Sequence, residues 1–195
     1  MQTRLRRQLN ETEVQGKKIA SYLAMTRIFS GIMKKIIILF LAISSTAFSQ
    51  KKLDKLLQKW NKNNVPYMSV ETLAMPKTKA ILLDAREEKE YKVSHLKEAF
   101  CVGSDNFNLN KTLAKLPKDK TAKIVVYCSL GIRSEIVAHQ LIKKGYTNVY
   151  NLYGGIFEWK NANFEVIDTL GNTTENIHTF NKDWSKWLKK GKKVY

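Results

Sequence analysis

The chain reads Ile124-Val125-Val126-Tyr127-Cys128-Ser129-Leu130-Gly131-Ile132-Arg133-Ser134 at the stretch that decides its fold. β-Branched apolar residues run up to Cys128, a short loop with one glycine and one arginine follows, and a helical pattern begins at once. This order predicts a buried strand, a loop and the start of a helix. Backbone N–H groups converge at such a junction, in front of the positive end of the helix dipole. We therefore expect the Cys128 thiol to be shifted toward its thiolate.

Strands and helices alternate on either side of this stretch. Strands are predicted at residues 65–70, 80–84, 99–103, 123–127 and 148–152. Helices are predicted at residues 51–61, 87–92 and 109–116, and after Gly154-Gly155 through Trp159. Another helix is predicted from Arg133 to a cap at Gly145, and its apolar stripe consists of Ile136, Val137, Leu141 and Ile142. The alternation predicts an α/β fold, a three-layer α/β/α sandwich around a parallel sheet. Ligands bind at the carboxyl ends of such strands, where Asp84 and Cys128 stand.

Composition restricts the class of protein. The 195 residues are 44% hydrophobic and carry a formal net charge of +17, which fits one packed domain with basic extensions. Two cysteines are too few for a disulfide framework. No zinc-ligand spacing is found among the candidate ligands Cys101, Cys128, His95, His139 and His178. We expect no metal and no cofactor.

The N-terminal region has the three parts of a secretory signal peptide. Met33-Lys34-Lys35 is basic, residues 36–43 are apolar, and residues 44–49 are mostly small. We expect cleavage before Gln50, export to the periplasm or beyond, and translation from Met33, with residues 1–32 a misassigned or disordered extension. A cytosolic arm or an uncleaved membrane anchor are the alternatives. Without residues 1–49, 26 basic and 15 acidic residues leave a charge of +11.

Five motifs then follow in order. They are Asp84-Ala85-Arg86, Glu90-Tyr91, Ser94-His95-Leu96 with Glu98-Ala99, Cys128 to Ser134, and Leu152-Tyr153-Gly154-Gly155 with Trp159. In order and spacing they resemble the rhodanese-like sulfurtransferases, over residues 67–164. The resemblance implies a five-stranded parallel sheet with helices on both faces and an active-site loop that begins at the cysteine. It also implies a reaction in which the thiolate takes sulfane sulfur from a donor such as thiosulfate, and the persulfide then passes it to cyanide or a thiol.

The resemblance also implies roles for single residues. Cys128 corresponds to the nucleophile. The substrate cradle corresponds to Ser129, Leu130, Gly131, Ile132, Arg133 and Ser134, in which the glycine permits the turn and the arginine places a fixed cation at the rim. Asp84, Arg86 and His95 correspond to structural support, because no general base is needed once the thiolate exists.

The length of the loop separates two chemistries. Cys128 to Arg133 is Cys-x4-Arg, whereas the related dual-specificity phosphatases have Cys-x5-Arg around a phosphate, so the shorter loop favours a sulfur atom. Ser129 stands where many thiosulfate-using members have arginine, which leaves the natural donor open. Ser94 and Glu98 replace family glycines and affect the geometry of a turn.

Several alternatives stay open. A sulfur carrier or redox sensor on the same scaffold is the alternative to an enzyme, and Cys101, expected in the core, could form a disulfide with Cys128 in an oxidising compartment. The expected partners are a small anionic sulfur donor and a thiol or cyanide acceptor, and not nucleic acid. Residues 50–66 are predicted as an N-terminal helix and 165–195 as a basic extension. Within it, residues 181–193 are predicted as a basic helix with Trp184, Trp187 and Leu188 on one side, which covers the domain edge or contacts an anionic surface.

Overall fold

A sheet of five parallel strands lies at the centre of the fold. The structure, a computed structural model, describes residues 33, 50–62 and 64–195. The chain divides into two compact units, residues 1–52 and 53–195, and the second contains the sheet. Its strands are β1 (Tyr67–Met68), β2 (Ile81–Asp84), β3 (Phe100–Cys101), β4 (Ile124–Tyr127) and β5 (Val149–Leu152). Their order is β1-β5-β4-β2-β3, all parallel. The predicted α/β fold with a five-stranded parallel sheet is confirmed.

Helices cover both faces of this sheet. They are α1 (50–60), α2 (Val70–Ala74), α3 (Glu88–Val93), α4 (Leu109–Lys115), α5 (Arg133–Lys143), α6 (Gly155–Asn161) and α7 (Lys182–Ser185). Successive residues of a strand point to opposite faces. Val125 accordingly packs in one apolar cluster with residues of α1, α2 and α6, and Val126 packs in a second with residues of α4 and α5. The two clusters make the sheet the middle of three layers.

The buried stripe of α5 differs from the predicted one. Val137, Ala138 and Leu141 are buried, whereas Ile136 is 56% and Ile142 36% exposed. Residues four apart share a helix face, and the pair 137 and 141 lies at its centre. The prediction that Ile136 and Ile142 belong to the buried stripe is wrong, because apolar residues next to the stripe cannot be distinguished from it by composition alone.

The predicted C-terminal helix over residues 181–193 is also wrong. Helix α7 covers only Lys182–Ser185, and Lys192–Val194 form a strand, β9, that pairs in parallel with β8 (Asn176–His178). Another small ladder joins β6 (Val166–Ile167) to β7 (Thr173–Thr174). The Asn161 side chain accepts bonds from the N–H groups of Lys189 and Lys190, and Gly191 turns the chain at φ +92°. These contacts outweigh the helical pattern of the tail.

A buried ion pair fixes the end of strand β2. Arg86 Nη2 lies 2.6 Å from Asp84 Oδ2 and also donates to the carbonyl of Ser94 at 2.6 Å, and both charged side chains are fully buried. Burial opposes the charge on Arg86, but Asp84 raises the pKa of the guanidinium, which therefore stays charged. The pair ties β2 to the end of α3. The turn beyond it keeps a left-handed conformation without glycine, since Glu98 has φ +64°.

Removing one member of this pair should be costly. Arg86→Met leaves the Asp84 carboxylate buried without its cation, and we expect the free energy of unfolding to fall by about 3–5 kcal/mol. Urea unfolding followed by circular dichroism measures the loss. The matched control is Lys92→Met, which breaks the exposed Glu88–Lys92 pair and should leave the midpoint unchanged. Equal effects of the two substitutions would contradict a structural role for the buried pair.

The signal-peptide prediction falls almost entirely outside the described residues. Residues 1–32 and 34–49 are not described, so export and the start of translation at Met33 stay predictions. Within residues 33, 50–62 and 64–195, no helix has the length and apolar character needed to cross a bilayer.

Candidate functional site

The Cys128 thiol lies at the junction of β4 and α5. Its residue is only 2% exposed, and the Gly131 N–H donates to Sγ at 3.1 Å. Helix α5 has no side-chain cap at its start, which leaves the N–H of Ser134 to contact the sulfur. Burial alone would raise the pKa of Cys128, but the Arg133 guanidinium and the contacts with Ser134 and Gly131 outweigh it and lower the pKa. The thiol is held ready to ionise.

Two amides hold the Gly131 peptide in place. The side chains of Asn61 and Asn151 donate to the Gly131 carbonyl at 2.8 and 2.7 Å, and Asn151 in turn accepts from the Ser134 hydroxyl at 2.7 Å. Gly131 has φ +102°, and a Cβ there would lie 3.2 Å from the Leu152 carbonyl oxygen. Because the Gly131 carbonyl is fixed in this way, the N–H of the same residue stays directed at the Cys128 sulfur. No sequence pattern pointed to either asparagine.

Helix α6 holds the other side of the loop. The N–H groups of Ile156 and Phe157 donate to the carbonyls of Cys128 and Ser129 at 2.9 and 3.2 Å. This approach is possible because Gly155, at φ +56°, has no side chain, and a Cβ would lie 2.2 Å from the Cys128 carbonyl oxygen. The Gly154-Gly155 pair in the sequence was the visible signal, although its contact with the cysteine was not predicted.

Alanine at Gly155 should therefore disturb both stability and the cysteine loop. We expect a loss of about 2–5 kcal/mol, because the strain of a left-handed residue adds to a backbone clash. Gly145→Ala is the matched control, since Gly145 also has a positive φ but open space around its Cβ position; it should cost about 1–2 kcal/mol. Chemical unfolding measures stability, and the iodoacetamide reactivity of Cys128 measures the loop. Normal reactivity in folded Gly155→Ala would contradict the assignment.

Arg133 does not stand as a free cation at the rim. Its Nη1 and Nη2 atoms donate to Oε2 and Oε1 of Glu90 at 2.6 and 2.8 Å, and Nη2 also reaches the Ser129 hydroxyl at 3.1 Å. The Phe180 ring lies 4.9 Å from the guanidinium carbon. A carboxylate thus binds the edge of the Arg133 guanidinium and an aromatic ring covers its face. Arg133 is therefore less available to bind an anionic substrate than we predicted from the sequence.

Glu90 is another residue of the site whose role was not predicted from the sequence. Its side chain is fully buried and, besides Arg133, accepts from the Glu87 N–H at 3.0 Å as part of the capping box of α3. Burial would raise its pKa, but the hydrogen bonds and charge of Arg133 and the Glu87 N–H lower it, so the carboxylate is ionised. The signal was present in the Glu90-Tyr91 motif, without an indication of its partner.

His95, predicted as structural support, lies apart from the sulfur. Its ring stacks on Tyr91 with centroids 3.8 Å apart, and its Nδ1 lies 3.1 Å from the Tyr91 carbonyl. Its backbone exchanges two hydrogen bonds with Ile167. Among the described residues, the contacts of His95 are thus with the scaffold.

Cys101 is too far from Cys128 for a disulfide. In the sheet Cys101 lies opposite Asp84, and Asp84 lies opposite Tyr127, so two strand spacings, about 9.6 Å, separate Cys101 from the residue before Cys128. A disulfide needs Cα atoms within about 7 Å. Both thiols are free. Cys101 is also half-buried rather than in the core, and its burial together with Asp84 raises the pKa of its thiol to about 11.

The two thiols should therefore react very differently with iodoacetamide. Only the thiolate reacts, and at pH 7 a thiol with a pKa of about 11 is ionised in about one molecule in 10,000. The lowered pKa of Cys128 keeps its thiolate populated below the pH range of ordinary thiols. Peptide mass mapping across pH 5–10 should show modification of Cys128 first, although Cys101 is the more exposed. Faster labelling of Cys101 at neutral pH would contradict the lowered pKa at Cys128.

A cavity of about 140 Å³ opens over the sulfur. It is lined by Trp60, Cys128, Ser129, Leu130, Ile132, Arg133, Phe180 and Trp184. Of the predicted cradle, Gly131 and Ser134 contact the sulfur but do not line this cavity. Phe180 has a left-handed backbone at φ +64°, and its N–H donates to Nδ1 of His178 at 3.1 Å. Burial lowers the pKa of His178, which keeps that nitrogen able to accept. The three aromatic residues were not predicted as part of the site.

A protein-family model matches the segment of the chain that contains this site. The model described as Rhodanese-like domain matches residues 69–162. Two curated relatives are tRNA uridine(34) hydroxylases, that of Hamiltonella defensa with 42% identity and that of Erwinia tasmaniensis with 39%, each over 82 residues. Each match covers 41% of this chain and 23% of the relative. The chain thus spans about a quarter of the length of the curated relatives it matches.

A solved structure supports the same fold. Thiosulfate sulfurtransferase from Pseudomonas aeruginosa is similar with a TM-score of 0.50 and 22% identity, covering 72% of this chain and 26% of that one. At this identity the likeness concerns the fold.

Proposed function

Because residues 69–162 form a rhodanese-like domain, we propose that the protein is a sulfurtransferase that carries sulfane sulfur as a persulfide on Cys128. The observation that carries the proposal is the lowered pKa of a buried thiol that receives the Gly131 N–H at 3.1 Å. A thiolate is the nucleophile that sulfur transfer needs, and here it forms without a neighbouring base.

The first half of the reaction loads the cysteine. The Cys128 thiolate attacks the outer sulfur of the donor, and a new S–S bond forms as the donor's own bond to that sulfur breaks. The electron pair leaves with the remainder of the donor, which is sulfite when the donor is thiosulfate. The contacts with Gly131 and Ser134 that stabilise the thiolate also stabilise negative charge on the persulfide.

The second half returns the enzyme to its starting state. The acceptor, a thiolate or cyanide, attacks the outer sulfur of the persulfide, and the Cys128 sulfur leaves with the bonding electron pair. A low pKa makes Cys128 a good leaving group as well as a nucleophile. The same surroundings therefore assist both steps.

The choice of donor depends on Arg133. Its pairing with Glu90 neutralises the cation nearest the sulfur, and Ser129 adds no charge to the loop. A dianion such as thiosulfate gains little from this site. We expect thiosulfate to load Cys128 more slowly than a long polysulfide, which is also a dianion but carries its charges at the ends of an apolar sulfur chain.

The similarity to the tRNA uridine(34) hydroxylases is too short to indicate that this chain has their activity. The tRNA uridine(34) hydroxylases share with it a segment that is 23% of their own length. Export, predicted from residues 33–49, would place the sulfur transfer outside the cytoplasm, where thiols are prone to oxidation.

Sulfur loading tests the proposal directly. Incubation of the reduced protein with polysulfide or thiosulfate should add the mass of one sulfur atom, because one thiolate is activated. Cys128→Ser should abolish the added mass, and the matched control Cys101→Ser should retain it. Intact-mass spectrometry measures loading, and formation of thiocyanate from cyanide measures transfer.

Other outcomes would identify other functions. Loading without transfer to cyanide or to any thiol would identify a sulfur carrier. Failure of both donors and of mercaptopyruvate to add sulfur, or addition at Cys101, would refute the sulfurtransferase proposal.

A further inference from the structure

The cavity over Cys128 is completed by residues outside the rhodanese-like domain. Trp60 comes from helix α1, before residue 69, and Phe180 and Trp184 come from the C-terminal segment, after residue 162. We call this space the aromatic cavity. The domain supplies the sulfur and one part of the walls, whereas the segments on either side of it supply the three aromatic side chains.

The aromatic cavity is held in a defined shape. The Phe180 and Trp184 rings meet edge to face, with centroids 6.2 Å apart. The backbone of Trp184 is held by the cap of α7, where the backbone N–H of Trp184 donates to Asn181 Oδ1 at 3.0 Å. Phe180 keeps its left-handed backbone through the bond to His178. A non-glycine residue in this conformation needs surrounding contacts to hold it, and such strain is concentrated at functional sites.

The chemistry of the walls is apolar and almost uncharged. Five of the eight lining residues have apolar side chains. The single lining cation, Arg133, is bound edge-on by the Glu90 carboxylate. A small inorganic anion would find aromatic rings in place of charge, whereas a ring or short branched chain would find matching surface. The volume of about 140 Å³ is close to that of a cavity that accommodates benzene.

We propose that the aromatic cavity binds the apolar body of an organic thiol, about the size of one ring, that accepts sulfur from Cys128. The inference rests on the proposed sulfurtransferase function and names the class of its acceptor. The acceptor's thiolate forms a bond to the outer sulfur of the persulfide while the bond from that sulfur to Cys128 breaks. The electron pair stays on Cys128, the acceptor's proton goes to solvent, and no oxidant is consumed.

Alkylation tests the aromatic cavity without any sulfur transfer. In the Cys101→Ser protein, the rate at which N-benzyliodoacetamide alkylates Cys128 is divided by the rate for iodoacetamide. The same ratio is measured for free N-acetylcysteine, and the first ratio is divided by the second to remove the intrinsic reactivity of the two reagents. We expect the benzyl reagent to be favoured about fivefold to tenfold, because its ring packs against the aromatic walls. A normalised ratio of one would overturn the inference.

Variants on two different elements locate the effect. Trp60→Ala in α1 and Phe180→Ala in the C-terminal segment should each reduce the benzyl preference about twofold to fivefold. The matched control is Phe100→Ala, since Phe100 is 43% exposed against 45% for Phe180 but lies outside the aromatic cavity. It should keep the full preference. An equal loss in Phe100→Ala would overturn the inference.

Sulfur transfer completes the test. The persulfide is loaded with polysulfide, verified by intact mass, and offered benzyl mercaptan or 2-mercaptoethanol. Faster transfer to benzyl mercaptan, lost in Trp60→Ala, supports the acceptor class. Loading without any preference overturns the inference and leaves the sulfurtransferase proposal standing. Failure to load from polysulfide, thiosulfate and mercaptopyruvate alike overturns the proposed function, while the alkylation ratio still decides whether the aromatic cavity binds a ring.

Discussion

A negatively charged sulfur at Cys128 has to be stabilised in a place that is almost closed to water, and the surrounding structure supplies that stabilisation. Burial at 2% exposure disfavours the thiolate. The Gly131 N–H and the start of α5 compensate because their dipoles are fixed before the charge appears. Fixed donors need a fixed loop, and Asn61, Asn151 and the start of α6 hold its carbonyls. The charge of Arg133 and the fixed N–H groups of the loop thus lower the pKa of Cys128 together.

The Glu90–Arg133 pair shows how the charge of the site is limited. A free arginine beside the sulfur would lower the thiol pKa further and attract anions indiscriminately. Two hydrogen bonds to an ionised, buried carboxylate hold it in one geometry and remove most of its net charge. Because Glu90 is also the N3 residue of the capping box of α3, the start of that helix and the electrostatics of the site depend on one side chain.

The sequence allowed the sheet to be predicted because its strands carry strong local signals. Runs such as Ile124–Tyr127 consist of β-branched and aromatic residues, and the Cys128 loop begins where the run stops. The tail could not be predicted, because hydrogen bonds from Lys189 and Lys190 to Asn161, 28 and 29 residues away, compete with a local helical pattern. The partners of Arg133 and of the Gly131 carbonyl were missed for the same reason. Contacts between distant segments leave no periodicity in the sequence.

Different segments of the chain contribute the cysteine loop and the aromatic residues above it. Residues 69–162 contain Cys128, its loop and the buried ion pairs beside it. Trp60 and Phe180 lie on either side of that segment and are both exposed at about half of their surface. Exposed aromatic rings contribute little to the core, and a strained backbone at Phe180 opposes folding. Their position in the wall of the cavity over Cys128 replaces water beside the sulfur with an apolar surface, and this is the surface on which the proposed acceptor would pack.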